Sequence, residues 1–298
     1  MASPDLSLWQ HPRTMQGVDH YENFPVASWL CPPALRAPIA AIYHFARTAD
    51  DIADEGNAGA ADRTTELAAY RDTLLHTWGQ PEIAREARWP RVFGPLAAQT
   101  VAHDLPQAPL LDLLDAFEQD VRYTATGQRY ANTDELLDYC RRSANPVGRL
   151  LLHLYRVTDP DSLRQSDAIC SALQLINFWQ DLRLDLSRRR HYLPGEVLHQ
   201  HGLQPEQLTP DHDSPAARAL VAQLCDDARE RMRVGAPLAL RLPGRVGWEL
   251  RLVVQGGLRI LDKLAQDHHR SWQRRPRLGA GDVPLMLWRA WHMSVTWR

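Results

Sequence analysis

The sequence predicts an all-α protein, a helical bundle that folds as a single domain over all 298 residues. Apolar residues recur at the three- and four-residue spacings of a helix along almost the whole chain, and no run alternates as a half-buried strand does. No linker is long or polar enough to divide the chain, and no internal repeat or low-complexity stretch is present. We expect residues 1–17 to form a flexible N-terminal extension of this domain.

Nine helices follow from this periodicity, and clusters of proline, glycine and aspartate or asparagine mark the breaks between them. The helices are predicted at residues 34–55, 62–78, 90–104, 108–126, 133–156, 161–187, 214–240, 245–270 and 282–296. The breaks, in chain order, lie at residues 79–81, 159–162, 193–215, 242–247 and 276–284. Because each helix must bury its apolar face against others, we expect a shared core.

The bulk properties exclude several classes of function. With a net charge of −2 and a pI near 6.7, the chain has no basic stripe of the kind that binds nucleic acid. No apolar run approaches the roughly 18 residues of a membrane span, and the N-terminus lacks the apolar segment of a secretory signal. The four cysteines are scattered without a CxxC pair, which favours a reducing cytoplasm over a disulfide or zinc site.

Acidic residues continue the apolar face of the first predicted helix. One helix face, at steps of three or four residues, runs through Ile39, Tyr43, Ala46, Asp50 and Asp54. Solvated charges normally lie opposite the apolar stripe of a helix, but here they extend it. Because burying unpaired carboxylates is costly, such a stripe needs a compensating cation.

The sixth predicted helix repeats this arrangement. Its stripe consists of Cys170, Leu173 or Gln174, Asn177, Asp181 and Asp185. Carboxylate and amide oxygens are ligands of hard cations such as Mg²⁺, which proteins often share with the phosphates of a substrate. Two such helices facing each other could hold several Mg²⁺ ions around one diphosphate and stabilise charge on the leaving group. Either cluster alone could instead be a solvated helix end.

Arginines lie beside both acidic clusters. Arg47 precedes Asp50 by one turn, and residues 188–190 are three arginines that follow the second cluster, with Tyr192 just beyond. Guanidinium groups bind phosphate in a bidentate manner, so these arginines are candidate diphosphate ligands. A run of arginines is equally typical of a solvated helix end.

These motifs resemble those of the squalene/phytoene synthase family, the trans head-to-head prenyl synthases. The stretches that carry the resemblance are residues 43–55, residues 139–148, and residues 174–185 followed by 190–194. The similarity extends from about His20 to Leu278, nearly the whole chain. It implies an isoprenoid synthase-type helical bundle with a central cavity.

Carried over by position, the resemblance implies a role for each matching residue. The magnesium-site residues would be Asp50, Asp54, Asn177, Asp181 and Asp185. The residues that contact diphosphate or order the site would be His20, Arg47, Gln174, Arg190 and Tyr192. Tyr43 and Tyr139 would border the cavity where carbocations form, since aromatic faces attract cations. Each of these two rings could equally be core packing.

Two departures from the family pattern resemble one bacterial branch. Gln180 stands where the family usually has arginine, and residues 143–148 read Ser-Ala-Asn-Pro-Val-Gly in place of Val-Ala-Gly-x-Val-Gly. Together with residues 18–29, they resemble the hopanoid-pathway branch, which ionises presqualene diphosphate and captures the rearranged cation with water to give hydroxysqualene. That resemblance implies two or three Mg²⁺ ions per site and no NADPH. The departure at Asn145 and Pro146 suggests the hypothesis that Asn145 helps to admit or position the water. Because Gln180 replaces the usual arginine, it stays open whether the chain has the full set of diphosphate-binding residues used for farnesyl coupling.

A hydrophobic channel between the helices would hold the prenyl tails. Its candidate wall residues are Leu150, Leu151, Leu152, Leu173, Ile176, Val253 and Leu258, any of which could be simple core. Gly256 and Gly257 interrupt a strong helical pattern, at a cost of roughly 1 kcal/mol each relative to alanine. Close approach of a ligand and tight packing of two helices would both explain this pair.

Three other functions fit parts of the sequence. Within the same chemistry, the chain could condense two farnesyl diphosphates to presqualene diphosphate or dehydrosqualene, or two geranylgeranyl diphosphates to phytoene. The fold could also serve as a catalytically inactive scaffold or assembly protein, although both acidic clusters are intact. His103 and Asp104 could indicate a metal phosphohydrolase, but no second pair at helical spacing supports it.

The last thirty residues are rich in arginine and tryptophan. A helical stripe there consists of Leu285, Trp288, Trp291 or His292, and Val295. An interfacial helix beside anionic lipid has this composition, and so does a terminal helix docked on the body of the protein. With a lipid substrate and product, we expect a cytoplasmic protein in peripheral contact with the inner face of the membrane. Contact with neighbouring enzymes of the squalene pathway stays open.

Overall fold

The computed structural model describes residues 31–296, and it describes side chains for residues 31–294. Within these limits the chain forms helices joined by turns and loops, without a strand. The α-helices are α1 (Pro33–Asp54), α2 (Ala60–Thr77), α3 (Pro81–Glu86), α4 (Pro90–His103), α5 (Ala108–Thr126), α6 (Thr133–Ser143), α7 (Asn145–Leu154), α8 (Pro160–Ser187), α9 (Gly195–Gln200), α10 (Pro215–Gly235), α11 (Leu238–Arg241), α12 (Gly244–Gln266) and α13 (Val283–Thr296). The prediction of an all-α fold is confirmed.

Two predicted helices are each divided by a proline. The segment 133–156 breaks at Ala144, whose backbone angles (φ −122°, ψ −47°) are not helical, because Pro146 provides no amide donor at the start of α7. The segment 214–240 breaks at Pro237, between α10 and α11. The six-residue helices α3 and α9 were not predicted, since fewer than two turns show no clear apolar periodicity.

Local signals explain where several helices begin. Side-chain oxygens of Asn132, Asp159 and Ser214 accept hydrogen bonds from backbone amides three residues later, at 2.9, 2.9 and 3.1 Å. Such N-caps each stabilise a helix by about 1 kcal/mol. Proline occupies the first turn of α1, α4, α8 and α10, where its missing amide hydrogen costs nothing.

Helix α8 occupies the middle of the bundle and packs against α6, α7, α10, α11 and α12. Buried apolar residues form two clusters, one built mainly from α1, α2, α4 and α5 and the other around α8, α10 and α12. Helix α7 contributes to both, because Leu150 and Leu154 belong to the first cluster and Leu152 belongs to the second. The boundaries of a single domain stay a prediction. None of the helices in the described range is long and apolar enough to cross a membrane.

Gly257 allows α12 to pack closely on α8 and α10. A Cβ atom at this position would lie 3.0 Å from Met232 Cε, 3.1 Å from Leu173 Cδ2 and 3.2 Å from Ile176 Cδ1. The neighbouring Gly256 meets only ordinary contacts, since its nearest neighbour would be Met286 Cε at 3.5 Å. Close helix packing therefore accounts for Gly257.

Candidate active site

The acidic stripe of α1 lies along the flank of the helix, beside its most buried face. Ile42, Phe45 and Ala49 are fully buried, whereas Asp50 and Asp54 are partly exposed. The stripe thus starts in the core at Ile39 and ends at residues that face an open space. This geometry agrees with the prediction that the carboxylates extend the apolar stripe. The most buried face of α1, however, runs through Ile42, Phe45 and Ala49, each one residue before a position of the stripe.

The acidic face of α8 is partly exposed. The five positions of the predicted stripe are all partly exposed, in a helix whose neighbouring residues Ala172, Ile176 and Trp179 are buried. A partly exposed stripe between buried residues is expected where a helix lines a cavity. That Asn177, Asp181 and Asp185 line a metal-binding cavity stays a prediction.

The structure brings the two acidic clusters together. Arg190, three residues beyond α8, forms an ion pair with Asp54 at the end of α1, and Arg188 Nη1 lies 3.4 Å from the second oxygen of Asp54. The guanidinium group of Arg63 holds the turn after α1 by donating to the carbonyl oxygen of Ile52 at 2.9 Å. These residues line a polar cavity of about 460 Å³. The end of α1 and the segment that follows α8 thus meet at this cavity, and the facing of the two full clusters stays a prediction.

Arginines neutralise the aspartates of both clusters. Arg47 Nη1 lies 3.0 Å from Asp50, and its Nη2 lies 2.7 Å from Asp51. At the other cluster the guanidinium group of Arg275 binds both oxygens of Asp181, with Nη2 at 3.1 Å from Oδ2. Within residues 31–294, no three His, Cys, Asp or Glu side chains converge as a metal site would require. Each cluster thus contains at least one aspartate that is paired with an arginine.

Burial strongly perturbs the carboxyl groups between the clusters. It raises the pKa of Asp185 to about 8, and the charge of Asp181 adds to the shift. Burial likewise raises the pKa of Asp50, although the guanidinium group of Arg47 opposes the change. Burial is the first cause of both shifts, because it disfavours the charged form of a carboxyl group. An all-oxygen donor set of this kind fits a hard divalent cation such as Mg²⁺, which would favour the charged forms.

Asp120 of α5 is a site residue that the sequence analysis missed. Its carboxylate accepts hydrogen bonds from Tyr139 Oη at 2.5 Å and Tyr192 Oη at 3.2 Å. Burial raises its pKa to about 7 against the lowering effect of these hydrogen bonds, and the charge of Asp50 adds to the rise. Asp120 also raises the pKa of Asp185, so it lies between the two clusters. The signal was present, because Leu113, Ala116 and Asp120 follow the same helical spacing as the other acidic stripes.

Aromatic rings form one wall beside Asp120. Tyr192 stacks on Phe178 with ring centroids 3.8 Å apart, and Tyr139 lies 5.9 Å from Tyr192. Tyr130 completes the group, 5.8 Å from Tyr139. The structure therefore places Tyr192 in an aromatic wall with its hydroxyl on Asp120, where it orders the site. Tyr139 is buried in the core around α8, and its place beside the cavity stays a prediction.

Gln180 anchors the segment that carries Arg275. Its Nε2 donates to the carbonyl oxygen of Pro276 at 2.8 Å, and Arg183 Nη1 donates to that of Gln273 at 3.0 Å. The residue that departs from the family pattern thus holds a loop whose arginine lies on Asp181. Sequence reasoning did not assign Arg275 to the site, because 94 residues separate it from Asp181.

Four further predicted residues occupy separate places. Gln174 lies on the cavity-lining face of α8, and Tyr43 is nearly buried on α1. Asn145 is buried and accepts a hydrogen bond from Ser171 Oγ at 2.9 Å, while its amide nitrogen bonds to no other described residue. His20 lies outside the described residues.

An apolar cavity of about 100 Å³ continues the space toward the start of α8. It is lined by Cys170 and by four of the candidate wall residues, Leu151, Leu152, Leu173 and Val253. Leu150 and Ile176 are core residues, and Leu258 lines a different groove. Because Cys170 and Leu173 share a helix face with Asn177 and Asp181, the apolar cavity and the acidic residues follow each other along α8.

An all-helical bundle with two acidic clusters and an apolar cavity defines an isoprenoid synthase-type enzyme. The chain matches the squalene/phytoene synthase family over residues 18–282. The hydroxysqualene synthase of Rhodopseudomonas palustris is 36% identical over 245 residues, covering 82% of this chain and 79% of the relative. That of Sinorhizobium fredii is 34% identical over 267 residues, covering 89% and 86%. The squalene synthase HpnC of Alicyclobacillus acidocaldarius superposes with a TM-score of 0.73 at 34% identity, covering 84% of this chain and 90% of that one.

The chain belongs to the squalene/phytoene synthase family, and it is an enzyme of that family. Phytoene synthases are also among its relatives, as in Pseudescherichia vulneris, at 28% identity over 274 residues, 89% of this chain and 85% of the relative. Identity is thus higher to the relatives named hydroxysqualene synthase than to this phytoene synthase.

Proposed function

We propose that this enzyme ionises presqualene diphosphate and captures the rearranged carbocation with water, releasing hydroxysqualene and diphosphate. The observation that carries the proposal is the ion pair of Asp54 with Arg190, which joins the end of α1 to the segment that follows α8. The relatives named hydroxysqualene synthase support the choice of branch. Replacing diphosphate by hydroxide leaves the oxidation state unchanged, so the proposed reaction needs no NADPH.

We propose that Mg²⁺, two or three ions per site, binds with the substrate. The residues that would hold it are Asp50, Asp54, Asn177, Asp181 and Asp185. Bound there, the metal would neutralise the negative charge that develops on the leaving diphosphate. The raised pKa values of Asp50 and Asp185 support this assignment, because added positive charge would favour their ionised forms.

The arginines then have a second role. Arg190 and Arg275 pair with Asp54 and Asp181. With a cation bound to these carboxylates, the two guanidinium groups would be free to donate to diphosphate oxygens, which they match in geometry. Arg47 would bind the diphosphate from α1. Gln174 and Tyr192 would hold the neighbouring side chains of the site in position. By resemblance, His20 joins them.

The apolar cavity would receive the prenyl tails. Its lining side chains must move apart for a thirty-carbon substrate, because the cavity measures about 100 Å³. Tyr43 and Tyr139 would present aromatic faces to the carbocation. The unused amide nitrogen of Asn145 would hold the attacking water, with its oxygen fixed by Ser171.

Product analysis tests the proposal directly. Purified protein is incubated with presqualene diphosphate and Mg²⁺ without NADPH, and the extract is analysed by mass spectrometry. We expect hydroxysqualene and one equivalent of diphosphate, and neither product with the Asp50→Asn/Asp181→Asn variant. Failure of the wild-type protein to convert presqualene diphosphate would contradict the proposal.

One observation favours a second reaction, the coupling of two farnesyl diphosphates to presqualene diphosphate. Gln180 lacks the positive charge of the arginine that is usual in the family. Arg275, however, places a guanidinium group on Asp181, so a positive charge is still present beside the second acidic cluster. Incubation with farnesyl diphosphate or geranylgeranyl diphosphate, with and without NADPH, separates this reaction from the first. Accumulation of presqualene diphosphate, dehydrosqualene or phytoene would support coupling.

Because the proposed substrate and product are lipids, we expect the enzyme to act in the cytoplasm, at the inner face of the membrane. We propose peripheral membrane contact on this ground, and transfer of substrate and product between neighbouring enzymes of the same pathway. Fractionation of cells that express the tagged full-length chain tests the location. Recovery only in the membrane-free fraction would contradict peripheral contact.

A further inference from the structure

The C-terminal helix α13 is apolar on both of its faces. Ala290 and Met293 are fully buried against the body of the protein. On the opposite side, Leu287, Trp288 and Trp291 are 48%, 59% and 68% exposed. These three residues, spaced by one, three and four positions, form one continuous outer face. The helix therefore docks on the body, and the tryptophans of the predicted stripe are largely exposed, with the Trp291 ring beside Trp248 at a centroid distance of 5.8 Å.

A cationic groove lies along one edge of this outer face. It measures about 290 Å³ and is bounded by Trp288 together with Arg229 of α10 and Arg289 of α13. Both arginines pair with Asp262 of α12, at 3.1 and 2.5 Å, each through a single nitrogen. The three charged groups carry a net charge of +1, and most guanidinium donors are left for a ligand.

A buried amide in the groove has no protein partner. Gln255 is 3% exposed and lines the groove, yet its side chain hydrogen-bonds to no other residue among 31–294. Because Gln255 lines the groove, its amide can bond to a polar group bound there. Arg229, Arg289 and Gln255 together offer the donors that a phosphate group requires.

The charge around α13 identifies the partner surface. Residues 268–294 contain five arginines and a single acidic residue, Asp282. Three of the arginines pair with aspartates outside this range, Arg270 with Asp267, Arg275 with Asp181 and Arg289 with Asp262. The other two, Arg274 and Arg277, are exposed. Asp282 is buried and paired with Arg259 at 2.7 Å and Lys263 at 2.7 Å, so it does not offset the exposed positive charge. A second copy of the chain docking on the same face would bring like charges together. Tryptophan with arginine is typical of the boundary between water and an anionic bilayer.

We propose that the outer face of α13 docks on a bilayer containing anionic lipid, with one lipid headgroup phosphate bound in the groove between Arg229 and Arg289. Leu287, Trp288 and Trp291 enter the headgroup region. The contact is reversible and weakens with salt, because part of it is electrostatic. It does not depend on the reaction proposed above.

Vesicle flotation of the full-length chain tests this surface. We expect the wild-type protein to float with vesicles of phosphatidylcholine and phosphatidylglycerol, and to remain unbound with phosphatidylcholine alone. Trp288→Ser/Trp291→Ser should lower the partition coefficient about tenfold or more. The matched control is Leu75→Ser/Val101→Ser, which removes two exposed apolar residues from other helices and should bind as wild type does.

A second pair of variants tests the headgroup groove. Arg229→Gln/Asp262→Asn/Arg289→Gln removes the donors without leaving a carboxylate unpaired, and we expect it to weaken binding several-fold. Its control, Arg85→Gln/Arg164→Gln, removes two exposed arginines elsewhere and should have no effect. Circular dichroism confirms that each variant is folded. Absence of wild-type binding, unchanged binding of the tryptophan or groove variant, or a dimer that the tryptophan variant dissociates would overturn the proposal.

Discussion

Arg190 pairs with Asp54, although 136 residues separate them in the chain. Asp54 ends α1 and Arg190 follows α8, so this one contact joins the two acidic helices at the mouth of the polar cavity. Arg188 binds the same carboxylate from the same segment. The cationic and anionic groups of the site thus pair with each other.

Replacing Asp54 or Asp181 by asparagine is expected to lower Mg²⁺-dependent diphosphate release about 100-fold or more, since each loses a charge that faces the leaving group. The measurement is a coupled assay for inorganic diphosphate with presqualene diphosphate as substrate. Asp51→Asn is the matched control, because Asp51 lies off the stripe and pairs with Arg47. Equal losses in Asp51→Asn and Asp54→Asn would contradict the opposed-cluster interpretation.

Replacing Arg275 by glutamine is expected to lower kcat/KM about 100-fold, because it removes a bidentate donor from the second cluster. Gln180→Leu should give a smaller loss in the same direction, since it removes the hydrogen bond that holds Pro276 beside Arg275. Steady-state kinetics at several substrate concentrations measure both effects. Arg274→Gln, at an exposed neighbouring position, should have the kcat/KM of the wild type. If it lowers kcat/KM as much as Arg275→Gln does, the effect comes from the loss of positive charge in this segment and not from the contact with Asp181.

Metal-free protein is expected to lose thermal stability as pH rises from 6 to 9. The pKa values of Asp120 and Asp185 are raised to about 7 and about 8 in the folded state, whereas these groups ionise at about pH 4 in the unfolded chain. Their protonated forms therefore add stability that falls as pH rises from about 4 to about 8. That contribution is lost as the groups ionise, and a fall in Tm of roughly 5 °C follows. Mg²⁺ should reverse the fall at pH 9, because it favours the ionised forms.

Differential scanning calorimetry in EDTA and in Mg²⁺ measures this pH effect. Asp120→Asn should flatten the dependence of Tm on pH, since it removes one of the two ionisations. Asp72→Asn, at an exposed position of α2, is the control and should keep the wild-type slope. A metal-free Tm that rises between pH 6 and 9 would show that these carboxyl groups are not buried as described.

Gly257→Ala is expected to lower the free energy of unfolding by about 1 kcal/mol, because three side-chain ends must move to admit a methyl group. Gly256→Ala should instead raise it by about 0.5–1 kcal/mol, since alanine favours the helix and meets no close neighbour. Urea unfolding followed by circular dichroism measures both changes. A stabilising Gly257→Ala would show that α8 and α12 are less closely packed than the structure indicates.

Much of the candidate site could be predicted because a helix places residues three or four apart on one face. That rule identified Asp50 and Asp54 on α1, and Asn177, Asp181 and Asp185 on α8, before any contact was known. The same rule applies to Asp120. A single acidic residue on an apolar helix face, however, is a weaker signal than a cluster of two or three, and Asp120 was not predicted. Local chemistry likewise explains the proline breaks in the helices predicted at 133–156 and 214–240.

The amino-acid sequence by itself determined the all-helical fold, the family and the two acidic stripes, since each depends on residues close together in the chain. Only the tertiary structure decided which side chains meet across the bundle. Arg190 meets Asp54, Arg275 meets Asp181, and Asp120 receives the hydroxyls of Tyr139 and Tyr192. Such contacts depend on how whole helices pack, and helical periodicity carries no information about the distance between separate helices.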